Sequence, residues 1–167
     1  MTILPIVLIA IAGPNTMSLE SLVAEVAAEQ QDAGETVQKG ASEEEIAEAA
    51  GQVRGELGAQ LPADYLAFLA QANGMDFNGL VLYGAGQSPD KPGKGGFWQG
   101  LVATNQEWRS TGDHEGYLIL GDTDMDLLTA SIDGQEAALR DRVSGDVLER
   151  FGDVRSMLEK VLRDRLQ

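Results

Sequence analysis

The chain has 167 residues, 43% hydrophobic and 23% charged, which suits one globular domain built on one core. Twenty-seven acids against twelve bases give a net charge of −15, a surface that repels phosphate backbones and argues against direct nucleic-acid binding. The absence of cysteine excludes a disulfide framework and thiolate chemistry.

The charge is uneven. Residues 1–54 carry nine acids and two bases, and residues 55–135 carry eleven acids and three bases. Residues 136–167 balance seven against seven. Such a field attracts basic partners and speeds their encounter, although an acidic surface also serves plain solubility.

The stretch Ile3–Ala12 is apolar but far short of the roughly 20 residues that span a bilayer. It has the length of a signal-peptide core, and Ala10-Ile11-Ala12 resembles a cleavage site, yet no Lys or Arg precedes it. Residues 1–16 are therefore expected to be an apolar extension or a mis-assigned start upstream of Met17. Residues 17–167 are expected to form the single domain. The expected compartment is the cytoplasm, or the periplasm if residues 1–12 act as a signal.

Ser18 is a suitable N-cap for a first helix, with Leu19, Leu22, Val23 and Val26 at helical spacing. Met17 and Leu22 could staple its start, and residues 30–40 read as a polar linker. Ser42 and Glu45 form a capping box for a second helix, which Gly58 stops. A third helix starts at Leu61-Pro62, buries Tyr65, Phe68, Leu69 and Ala72, and ends at Asn73-Gly74. Leu80–Tyr83 reads as a buried strand, and the glycine- and proline-rich run 84–96 as a loop. Leu101–Trp108 fits a short helix or an extended stretch equally well. Tyr117–Leu120 reads as a strand, and Asp133-Gly134 joins Leu128–Ile132 and Ala137–Arg142 in a hairpin. A last helix starts at Asp153, with Val154, Met157, Leu158, Val161 and Leu162 on one face. Helices, then strands, then a closing helix predict an α+β fold, with helices packed on one largely antiparallel sheet.

Chemistry-bearing patterns are sparse. His114, the only histidine, stands between acids in Gly112–Gly116 and reads as a solvated turn residue. Without a second histidine or any cysteine, a zinc site would need carboxylates almost alone. Gly93-Lys94-Gly95 lacks the glycine and the Ser or Thr of a phosphate loop. Asp122, Asp124 and Asp126 alternate like the start of a calcium loop. Leu127 replaces its turn glycine and Asp133 its bidentate glutamate, so no metal is expected. These three acids, with Asp113 and Glu115, instead suit a negative surface for a basic protein. Phe97 and Trp98 follow the glycine run and are candidate apolar anchors, since tryptophan is enriched in interfaces. Trp108 reads more readily as core.

The run Leu61-Pro62-Ala63-Asp64-Tyr65-Leu66-Ala67-Phe68-Leu69, then Asn73-Gly74, then Gly79-Leu80-Val81-Leu82-Tyr83-Gly84, resembles the signature of the SUKH superfamily. Met17-Ser18-Leu19 and Gly40–Ile46 are similar to its bacterial YrhA-like branch, and the similarity continues through Leu120-Gly121-Asp122 and Ser144–Val147. Residues 1–16 have no counterpart. The resemblance implies a SUKH-like immunity protein that binds and neutralises a toxin delivered to neighbouring cells, for example by type VI secretion. It implies no catalytic residue and no cofactor. The expected function is non-catalytic capture of a basic, nuclease-type toxin, with no nucleic-acid or membrane partner. The alternatives are a regulatory or scaffold domain with a cellular partner and an enzyme of unrecognised type, which a deep pocket holding several acids of perturbed pKa would indicate.

Overall fold

The computed structural model describes residues 17–86 and 99–167. The expectations for residues 1–16, for most of the 84–96 loop, and for Phe97 and Trp98 lie outside these residues.

Helices α1 (Leu19–Asp32), α2 (Glu43–Leu57) and α3 (Ala63–Gln71) come first. Strands β1 (Met75–Phe77) and β2 (Leu80–Leu82) follow, then helix α4 (Leu101–Thr111). Strands β3 (Tyr117–Asp122), β4 (Asp126–Ser131), β5 (Ala137–Asp141) and β6 (Val147–Phe151) precede the closing helix α5 (Val154–Arg165). The six strands pair in sequence order, each antiparallel to the next. The expected α+β class with a closing C-terminal helix is therefore the observed one.

Local chemistry explains the helix ends. The Ser42 hydroxyl accepts from the Glu45 N–H at 3.1 Å, while the Glu45 carboxylate accepts from the Ser42 N–H at 2.8 Å. Gly58 stops α2 at φ 64°, a conformation that costs glycine little. Ser18 and Asp153 cap α1 and α5 through their side chains.

Strand β3 runs on to Asp122, β4 starts at Asp126 rather than Leu128, and α4 extends to Thr111; two further helix ends differ from expectation. Helix α1 runs on into the expected linker as far as Asp32, because Gln30 is buried and donates to the Asp76 carbonyl at 3.1 Å. Helix α3 ends earlier, at Ala72 in an extended conformation, and Gly74 at φ 91° belongs to the turn into β1. That β1, like β6, gives little strand signal. It is three residues long, and β6 lies mostly exposed, so neither has a sustained apolar alternation.

Tyr65 ties the helices to the sheet. Its hydroxyl lies 2.6 Å from the carbonyl of Tyr83, the residue after β2, and 2.9 Å from that of Leu120 in β3, so one buried proton serves both segments. Beside it β3 shifts register between Ile119 and Gly121. A Cβ at Gly121 would come within 2.3 Å of the Val81 carbonyl, so β2 can approach only glycine there.

Below that contact β2 ends, and the edge of β3 would stand open. Helix α4 closes it. Asn105, fully buried, donates to the Ile119 carbonyl and accepts from the Ile119 N–H, both at 2.8 Å. Its amide thus substitutes for a missing strand neighbour. One turn later Arg109 donates to the Leu57 carbonyl at 3.0 Å, linking α4 to the end of α2. The buried face of α4 is therefore partly polar, which is why apolar periodicity alone leaves Leu101–Trp108 undecided.

Candidate partner-binding face

The end of β2, helix α4 and the turns leaving β3 and β5 meet in one polar and aromatic cluster. The Tyr83 hydroxyl donates to Asp122 Oδ2, and Trp108 Nε1 donates to the Tyr83 oxygen at 3.0 Å. Arg142 Nη1 donates to Asp122 Oδ1 at 2.9 Å and to the Thr123 carbonyl at 2.6 Å. Its guanidinium lies 5.1 Å from the Trp108 ring centroid, within cation–π range. Burial, then the Asp122 charge, pushes the Tyr83 hydroxyl well above its ordinary value, so it remains a donor at any physiological pH.

The cluster continues across the sheet. Trp108 meets the His114 ring edge-on at 5.4 Å, and His114 meets Tyr117 at 5.9 Å. Arg140 lies 4.0 Å over the Tyr117 ring. His114 is 8% exposed, and its Nδ1 lies 2.7 Å from the Tyr117 hydroxyl. This corrects the expectation of a solvated histidine. The flanking Asp113 and Glu115 are exposed as a polar turn requires, but the ring between them turns inward to fill space between Trp108 and Tyr117.

A groove of about 300 Å³ opens on this layer, lined by Gln99, Thr104, Glu107, Trp108, Thr111, Asp122 and Arg142. Trp108, expected in the core, is half-buried and supplies one wall.

The three alternating aspartates do not converge. Asp122 points inward to Tyr83 and Arg142, Asp124 is exposed at the turn tip, and Asp126 stands opposite Asp141 across the β4–β5 pair. Thr123 Oγ1 accepts from the N–H groups of Met125 at 3.3 Å and Asp126 at 3.0 Å, so the motif is a side-chain-capped turn. No group of three metal-ligating side chains forms among the described residues. Asp113 and Glu115 precede β3 whereas Asp122 ends it, which separates the two acidic groups by the length of that strand.

Sequence reasoning missed Tyr83, Trp108 and Arg142 as members of one site, because they come from three distant elements. It also missed Met125 and Val143, which are 74% and 94% exposed. A signal for those two was present: each is a large apolar residue inside a run of turn-forming polar residues.

The fold and this layer define an α+β protein with a six-stranded antiparallel meander and a mixed aromatic and charged groove at one end of the sheet. The chain matches no family model and no curated protein. Among the described residues no helix is long and apolar enough to cross a membrane.

Proposed function

We propose that this chain is a non-catalytic immunity protein that captures and neutralises a basic toxin. The observation that carries the reading is the charge of −15, of which residues 136–167 contribute no net part. A field of that size steers a basic protein into encounter and disfavours acidic competitors. The SUKH-like residues quoted above, Leu61–Leu69, Asn73-Gly74 and Gly79–Gly84, support the same reading.

The use made of the titratable side chains also supports it. His114 is held against Tyr117, and both oxygens of Asp122 are occupied, by Tyr83 and Arg142. His114, Tyr83 and Asp122 are thereby committed to holding the sheet and α4 together. The contact surface then works by shape and charge.

The test is an association rate, measured with a basic protein if one is encoded beside this chain's gene. Rates governed by steering fall as ionic strength rises to physiological levels, where the Debye length shrinks to about 8 Å. A rate indifferent to salt would leave the acidic surface a role in solubility alone.

A further inference from the structure

Four large hydrophobic side chains are exposed among the described residues, and two of them, Met125 and Val143, stand on neighbouring turns. The Arg142 N–H donates to the Met125 carbonyl at 2.9 Å, which fixes the β3–β4 and β5–β6 turns side by side. Both turns are internally braced. Thr123 Oγ1 holds the first, and in the second the Asp141 carboxylate accepts from the N–H groups of Ser144 at 2.7 Å and Val143 at 2.9 Å. Those two bonds hold the Asp141 carboxyl below its ordinary range.

Nothing in the fold calls for apolar side chains at these tips. Tight turns favour Gly, Asn, Asp and Ser for reasons of backbone geometry and local hydrogen bonding, and the chain supplies them on either side. Val143, 94% exposed, and Met125, 74% exposed, gain little from burial within this chain. Paired on braced turns, they stand on a preformed backbone, so binding orders their side chains but little of the main chain.

We propose that Met125 and Val143, together with the adjoining Trp108–Arg142 groove, are the docking surface for a protein segment with an apolar face bordered by lysine or arginine. The proposal rests on the reading of this chain as a captor of a basic partner, and it names the contact. Charge complementarity selects the occupant. Asp124 is exposed beside Met125, and because Arg142 is paired with Asp122, the exposed Glu107 carboxylate leaves the groove net negative. An apolar centre beside Trp and Arg, with charge at the rim, is the usual anatomy of an energetic hot spot.

The experiment uses the full chain and two peptides of equal length and charge. One is a lysine–leucine peptide patterned as an amphipathic helix, and the other has its leucines replaced by serine. Methyl NMR follows Met125 and Val143 during titration at low ionic strength. The leucine peptide should shift both methyl signals and bind at least about tenfold more tightly than the serine peptide. A Met125→Gln, Val143→Thr double variant should bind both peptides alike while keeping its melting temperature. Equal affinity of the two peptides for the unaltered chain would overturn the docking surface, as would shifts centred on Leu148, while the basic-partner reading survived. Binding of neither peptide would likewise overturn the docking surface, while the basic-partner reading stands or falls on its own salt-dependence test.

Discussion

Replacing Asn105 with alanine removes the side chain that closes the open edge of β3. The amide makes three hydrogen bonds, to the Leu101 carbonyl, to the Ile119 carbonyl and from the Ile119 N–H, all at 2.8 Å. Alanine leaves the Ile119 N–H and carbonyl without a partner in a site where Asn105 itself is fully buried. Each stranded group costs about 1–3 kcal/mol, so the pair costs about 2–6 kcal/mol. Domains of this kind are stable by only about 5–15 kcal/mol, so the variant should unfold at clearly lower urea concentration. The Ile119 amide proton should also exchange much faster in the variant than its neighbours in β3. Asn105→Asp sharpens the test, because a carboxylate still accepts from the Ile119 N–H but cannot donate. Burial raises the folded pKa of the introduced carboxyl above its unfolded value, so the variant's stability should fall as pH rises above the unfolded carboxyl range. A loss below about 1 kcal/mol for Asn105→Ala, with Ile119 still protected, would refute the edge-closing role.

Phe68 is fully buried with its ring 5.2 Å from that of Tyr65, so Phe68→Ala should cost about 3–5 kcal/mol in urea unfolding. Unchanged melting with lost binding would make Phe68 a contact residue. The Arg155 guanidinium holds the Glu20 carboxyl down at about 2, and an NMR titration should show this midpoint return towards the ordinary range in Arg155→Ala. Because the folded value is depressed, the stabilisation from this pair is present above the unfolded value and is lost as pH falls towards about 2. Glu20 is well exposed, so the effect on stability should be small. The aspartates of the β3–β4 turn should separate by role. Asp122→Asn should lower the melting temperature by weakening the Tyr83 and Arg142 contacts, whereas Asp124→Asn should slow partner association at low salt and leave melting unchanged. Equal effects from the two would contradict that division.

Much of the fold was legible because its signals are local. The Ser42–Glu45 box, Gly58, Asp153 and Asp133-Gly134 each act within a few residues, and each lies where it was expected. Helix α4 was ambiguous because its inner face is satisfied by Asn105 and Arg109 through bonds to other elements, which leave no apolar period. The short β1 and the exposed β6 are strands by virtue of their neighbours. The candidate site was legible only in its acidity. Alternate residues share a face only in an extended strand, and the turn between β3 and β4 breaks that period, so Asp122, Asp124 and Asp126 do not form the single cluster that their spacing suggests. His114 shows the converse: its polar neighbours describe the turn correctly and say nothing about a ring that folds back beneath it.

Capture of a basic toxin is tested most directly by growth. The full chain is co-expressed with a protein encoded beside its gene, and that protein is also expressed alone in the same host. The neighbouring protein alone should arrest growth, and co-expression should restore growth and yield a stable complex of the two proteins, with rescue weakened by the Met125→Gln, Val143→Thr double variant. A neighbouring product that is harmless alone, or one whose toxicity persists at full expression of this chain, would contradict it.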